Sequence, residues 1–285
     1  MPTTTSLDHT VINVHFDMDQ AEPVFTALGF HLTPRGYHSL GSINHLMMFG
    51  SDYLELIGLP HGGEHSRPEI LESPVGIDGL VFKTADVDQT FAHLQALDMA
   101  GEPPRAFSRP VHLDGVESLA TFRTVTVRAD VFPAGRVYFC EHGTPELVWR
   151  PEWQTHANGA ATLTEMVIVS TQPDVEAARY ASLVQAEASR RSDGPYHIPL
   201  SGAQLSVLSP DQYAARYREL ASPMNGRASI FGAVAMASAN LAALTDRLQS
   251  MPEPPPAHIA PDRVALRLPA FDAVLEFVPH AAGDA

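Results

Sequence analysis

Apolar and polar residues follow one another along this chain in a recurring order of periods. "LDHTVINVHF" (7–16) has the character of a strand, and in the stretch after it Ala21, Val24, Phe25 and Leu28 fall at i, i+3, i+4 and i+7 of a helix. Gly29 then ends that helix, as glycine commonly does just past a helix C-terminus. Strand-like runs follow at "FHLTPRGY", "INHLMMFG" and "DYLELIG". The predicted unit is strand, helix, strand, strand, strand.

The same order returns with "IDGLVFKT", a helix from Asp86 carrying Val87, Phe91 and Leu94, and then "TFRTVTVRADVF", "GRVYFCEHG" and "TPELVW". A third copy begins at "LTEMVIVS", runs through a helix with Ala177, Tyr180, Ala181 and Val184, and reaches "AQLSVLSP". A fourth begins at "ASIFGAVAM", has a helix with Leu241, Leu244, Leu248 and Met251, is interrupted by "MPEPPPAH", and ends at "AVLEFVP". The polar, turn-rich "PEWQTHANGAA" lies between the second and third copies and divides the chain into residues 1–150 and 160–285. The expected fold class is therefore α+β, with four βαβββ modules in two halves.

Strand arithmetic selects the candidate chemistry. His9, Val11, Asn13 and His15 share one face of the first strand, while Thr10, Ile12, Val14 and Phe16 share the other, which would pack under the helix. Tyr53, Glu55 and Ile57 point together, opposite Leu54 and Leu56. Burying a lone ionised carboxylate costs several kcal/mol, so Glu55 must be solvated, paired, protonated or bound to a cation. A gapless alignment of "MMFGSDYLELIG" with "YFCEHGTPELVW" puts Glu55 over Glu146; in the later copies Glu165 falls on His9 and Glu276 on Glu55. For Glu55 a compensating cation is the expectation, with Arg35 or Arg136 as the alternative partner; for Glu276 a buried hydrogen bond or an arginine such as Arg263 is the preferred account.

The balance of charge narrows the partners. A formal charge of −15 disfavours nucleic acid and anionic membrane, both of which reward clustered Lys and Arg. The longest uncharged stretch, Ala228 to Thr245, reads as a strand running into a helix rather than a membrane span. Cys140 is the only cysteine, which excludes an intrachain disulfide and a Cys-based zinc cage, and its apolar strand makes it a core residue. "MPTTTSLDHT" has neither the basic region nor the apolar core of a signal peptide, so a reducing cytoplasm is the default expectation.

A tandem strand-helix-strand-strand-strand module with a His in its first strand ("LDHTVINV") and a Glu in its fourth ("YLELIG") resembles the vicinal oxygen chelate superfamily. That group includes glyoxalase I, methylmalonyl-CoA epimerase, extradiol dioxygenases and bleomycin-resistance binding proteins. "YFCEHGTPELVW" is also similar to glyoxalase-like domains. The resemblance implies that modules pair into cup-shaped sheets and that metal ligands come from the first and fourth strands. Carried over, those positions are His9, Glu55, Gly79 and Glu146 in the first half, and Glu165, Ser206, a residue near Phe231 and Glu276 in the second.

His9, Glu55 and Glu146 would hold a divalent ion (Zn, Ni, Mn, Co or Fe), with Glu55 or Glu146 swinging off it as the catalytic base. Gly79 cannot ligate and leaves room for water, His142 or His45, although for His142 a hydrogen bond to a turn is the plainer role; the loop histidines His61 and His65 have the plainer reading of a mobile loop. With no imidazole, the second-half site is expected to be lost.

The first expectation is a metal-dependent lyase, isomerase or epimerase that stabilises an enediolate of a small oxygenated substrate. An extradiol dioxygenase would need two His and one carboxylate around Fe(II), which requires His142 or His45 to join His9. A non-catalytic cup that sequesters a small molecule is the third reading. Four modules can close two cups within one chain, so the oligomeric state stays open.

Overall fold

In a computed structural model, which describes residues 5–62, 67–113 and 115–280, the chain forms two eight-stranded sheets of matching topology. The first contains β1 (Leu7–Asn13), β2 (Gly36–Tyr37), β3 (Ile43–Met48), β4 (Tyr53–Gly58), β5 (Gly76–Lys83), β6 (Arg105–Leu113), β7 (Val116–Thr126) and β8 (Arg136–His142). Their spatial order is β2-β3-β4-β1-β5-β8-β7-β6. The second contains β9 (Ala160–Ser170), β10 (Ser189–Arg190), β11 (Tyr196–Pro199), β12 (Gln204–Leu208), β13 (Ser229–Ser238), β14 (Ala257–Ala260), β15 (Arg263–Leu268) and β16 (Ala273–Pro279), in the order β10-β11-β12-β9-β13-β16-β15-β14.

Each sheet is thus two βαβββ modules joined antiparallel through their first strands, β1 to β5 and β9 to β13, with each fourth strand parallel to its own first. The helices of the modules are α1 (Met18–Ala27), α3 (Val87–Ala96), α4 (Pro173–Leu183) and α6 (Leu241–Ser250); α2 (Pro68–Glu72) and α5 (Pro210–Tyr217) lie between modules.

Local chemistry sets these elements. The Asp86 carboxylate caps α3 by accepting from the amides of Asp88 and Gln89. A Ser209/Gln212 capping box with Pro210 in the first turn starts α5. Gly29 has φ of +88°, the left-handed conformation that glycine adopts freely at a helix end. The helix-side faces of both sheets merge into one buried apolar cluster that includes Ile12, Phe25, Leu54 and Leu56 from the first half and Ile168, Tyr180, Phe271 and Phe277 from the second. The sheets divide between His142 and Ala160, but the connecting segment is tightly held: His156 accepts from the His31 amide at 2.9 Å and donates to the Met48 carbonyl at 2.8 Å. Among the described residues no helix is long and apolar enough to cross a membrane.

The second module departs from the expected strand count. "RAFSRPVHL" forms β6, which the expected elements omit, and "GRVYFCEHG" is the fourth strand rather than the third. Pro110 and the charged residues hide β6 in the sequence; as an edge strand it tolerates a residue that lacks an N–H. "TPELVW", expected to be a strand, is instead a 3₁₀ turn at Pro145–Leu147. "FHLTPRGY" yields only the two-residue β2.

Candidate functional site

The first sheet curves around a cavity of about 420 Å³, lined by His9 from β1, Asn44 and Leu46 from β3, Tyr53, Glu55 and Ile57 from β4, and Arg136, Tyr138 and Cys140 from β8. The expected faces are therefore the observed ones: Val11, Tyr53 and Ile57 join the apolar floor of the cup, while Ile12, Leu54 and Leu56 pack under the helices.

His9 and Glu55 meet at this wall, with Nε2 3.5 Å from Oε2. Glu55 is 5% exposed and pairs with no arginine among the described residues; its Oε1 accepts from Asn44 Nδ2 at 2.6 Å. The proposed arginine partners are engaged elsewhere. Arg35 binds Asp19 and Glu22, and Arg136 donates from Nε to Asp78 at 2.6 Å. The His9 ring stacks on Tyr53 with centroids 4.3 Å apart.

Asp8 fixes the ring's other side, and sequence reasoning missed it because strand alternation places it on the opposite face. A register shift between Leu7 and His9 breaks that alternation, so that Asp8 meets His9 Nδ1 at 3.2 Å and His142 Nε2 at 2.8 Å. Burial opposes the Asp8 charge, yet hydrogen bonds from His142 and His9 outweigh it and hold the carboxyl well below the usual range. His142 thus bonds a carboxylate and not a turn. A signal was present, since "LDH" and "IDG" repeat an aspartate in both first strands.

Glu146 does not join the site. It is exposed in the 3₁₀ turn beyond β8 and lines no part of the cavity. Register identifies its replacement: His9 pairs with Tyr53 and Val11 with Glu55, while Gly79 pairs with Arg136 and Val81 with Tyr138. The counterpart of Glu55 is therefore Tyr138, whose hydroxyl lies 3.4 Å from His9 Nε2. The gapless alignment skipped β6 and so overshot the strand. Burial, with Glu55 nearby, pushes the Tyr138 phenol well up, so it stays protonated.

Gly79 does occupy His9's counterpart position, paired across from Val11, but leaves no room for water, because a Cβ there would lie 2.5 Å from Val11 Cγ2. His45 points to the helix side, where it meets the Thr33 carbonyl and Arg35. His61 stacks on Phe16, and His65 lies outside the described residues.

The expected metal set of His9, Glu55 and Glu146 is thus not assembled. Two donors remain beside a protonated phenol and the guanidinium groups of Arg109 and Arg136, surroundings that disfavour a dication. A different cluster has the spacing of a metal site: one donor atom each from Asp8, Cys140 and His142 lies within 4.8 Å of the others. Its donor types suit a divalent ion such as zinc. Burial pushes the Cys140 thiol well up and Asp8 and Glu55 add to this, so an ion would have to displace that proton.

The second cup is closed by its own charges. Glu165 takes both terminal nitrogens of Arg216, at 3.1 and 2.6 Å, and Glu276 binds Arg263 at 2.7 and 3.0 Å and Arg216 at 3.1 Å. Tyr213 and Tyr217 of α5 fill the apolar part of that face, and Ser206 bonds His197. The arginine partner expected for Glu276 is present, and the ligand positions of this half are spent.

A glyoxalase-like domain family model matches residues 7–184, more than half of the chain. No curated protein matches it. Among solved structures, a hypothetical protein from Staphylococcus aureus superposes with a TM-score of 0.68 at 12% identity, covering 97% of this chain and 100% of that one. A triple mutant of 4-hydroxymandelate synthase from Streptomyces coelicolor has a TM-score of 0.59 at 12% identity, covering 99% and 94%. A xylose isomerase-like TIM barrel/4-hydroxyphenylpyruvate dioxygenase fusion protein has 0.59 at 13%, covering 100% of this chain and 51% of that one. The chain belongs to the glyoxalase-like domain family, and its paired sheets have the vicinal oxygen chelate fold.

Proposed function

We propose that the first cup is the active site of a glyoxalase-type isomerase, epimerase or lyase, in which Glu55 removes a proton next to a carbonyl of a small oxygenated substrate. The observation that carries this reading is the buried Glu55–His9 pair in the wall of the cavity, braced by Asn44 on one side and Asp8 on the other.

A carboxylate shielded from water and held by a neutral donor is a base fixed in place. His9 Nε2 lies beside it to share or relay the proton, and Asp8 at Nδ1 sets the ring's tautomer and orientation. The enolate oxygen that develops would find the Tyr138 hydroxyl and the Arg136 guanidinium on the same wall, donors placed in a low-dielectric site. No step here depends on a metal ion. A resident ion at Asp8, Cys140 and His142 would supply positive charge behind His9.

An extradiol dioxygenase reading gains no support from the ligand sets, because the second cup is ion-paired shut and, although Asp8 bonds both His9 and His142, the cluster with metal-ligand spacing among the described residues is Asp8, Cys140 and His142, which leaves His9 out. The test is solvent deuterium exchange by NMR on a panel of 2-oxoaldehydes, acyl-CoA thioesters and 2-hydroxy carbonyl compounds. Exchange with one class, reduced about 10²–10⁴-fold in Glu55→Gln, is the expected result. Exchange that survives Glu55→Gln unchanged removes Glu55 from its role.

A further inference from the structure

The lining of the first cup carries a charge without a partner among the described residues. Arg109, from β6, is 4% exposed, and its side chain makes no hydrogen bond or ion pair among the described residues; its Nη2 is buried and unsatisfied. Arg136 Nη2 is likewise buried and unsatisfied, although its Nε is held by Asp78. Both groups line the cavity.

The acidic residues of that cavity do not account for them. Glu69 takes Arg67, Glu55 takes Asn44 and His9, and Glu102 is exposed. Burial lowers the Arg109 pKa, with Tyr53 and Glu55 opposing only from a distance, but an arginine stays charged at any physiological pH. The side chain is closely packed: at Gly36 a Cβ would lie 2.3 Å from Asn44 Oδ1 and 3.3 Å from Arg109 Cδ. A buried charge with open donors is unfavourable unless something supplies the anion. Next to it the wall turns aromatic, with Phe107 and Phe122 stacked at 5.1 Å.

We infer that the first cup binds a small monocarboxylate with an apolar body, its carboxylate on the free guanidinium nitrogens of Arg109 and Arg136 and its body against Phe107 and Phe122. A planar guanidinium matches a carboxylate with parallel charge-assisted bonds. The assignment names the substrate class of the proposed reaction and rests on that reading only in calling the ligand a substrate.

The test is isothermal titration of the full chain with phenylacetate, with its neutral isostere phenylacetamide, and with inorganic phosphate. Phenylacetate is expected to bind at least tenfold tighter than the amide, and Arg109→Gln to lose that preference, as removal of one charge-assisted bond implies. Because Arg109 has no partner among the described residues to orphan and its buried charge is unfavourable, Arg109→Gln should not lower the melting temperature. The comparison of the two ligands on the wild type needs no variant at all.

Equal binding of acid and amide, binding of neither, or phosphate binding tighter than phenylacetate overturns the inference. Glu55→Gln separates the two claims. If it binds phenylacetate normally while no wild-type exchange is seen with any substrate class, the carboxylate site stands and the proton-transfer reading falls.

Discussion

Arg216→Met isolates what closes the second cup. Methionine keeps most of the stem's packing and removes only the charge. Glu165 (8% exposed) then loses a two-pronged partner and keeps only neutral ones, Gln204 Nε2 at 3.4 Å and Ser206, whereas Glu276 (3% exposed) retains both bonds from Arg263. Breaking a buried ion pair from one side costs about 3–5 kcal/mol. Arg216 is itself about a quarter exposed, which screens the pair, and one of the two carboxylates stays compensated. The expected loss is therefore about 2–4 kcal/mol.

Its pH dependence has a definite sign. Burial opposes the charge on Glu165 and Glu276, but hydrogen bonds from Arg216 and Arg263 respectively outweigh it and lower both pKa values. Their contribution to stability is present above the unfolded carboxyl value of about 4.3 and is lost as pH falls through the lower folded values. In Arg216→Met the orphaned Glu165 favours protonation, so the variant's deficit should be largest near neutrality and shrink in mild acid. Urea unfolding followed by circular dichroism at both pH values measures it, and adding Glu165→Gln to the variant should recover much of the loss. An unchanged midpoint, or a deficit that ignores pH, would refute the view that these charges hold the cup shut.

Three shorter expectations accompany it. Glu146→Gln should leave deuterium exchange and metal content at wild-type levels, while Glu55→Gln slows exchange about 10²–10⁴-fold; a loss of exchange on changing Glu146 would restore it to the site. Gly79→Ala should lower stability by about 1–3 kcal/mol, because its methyl would press on Val11, and thermal melting with no shift would show that β1 and β5 can part without cost. Burial keeps His156 neutral and lowers its pKa, so its contribution is full above the unfolded value of about 6.5 and is lost at up to about 1.4 kcal/mol per pH unit below it. In a stability profile against pH, His156→Asn should flatten that slope, and an unaltered slope would place the titrating group elsewhere.

The sequence determined the α+β class, the module order and the faces of β1 and β4, because alternation and helical spacing are local properties that each strand or helix states for itself. His9 and Glu55 were legible for that reason. The remainder depended on relations between strands. Edge strand β6, masked by Pro110, shifted the count by one strand and moved the counterpart of Glu55 from Glu146 to Tyr138. The bulge at Asp8 turned a residue across the sheet, which no period can announce. Arg109 came to the cavity from a strand far along the chain, and its missing partner exists only as a fact about the folded cup. Periodicity says which way a side chain points, but register and closure in three dimensions decide what it meets.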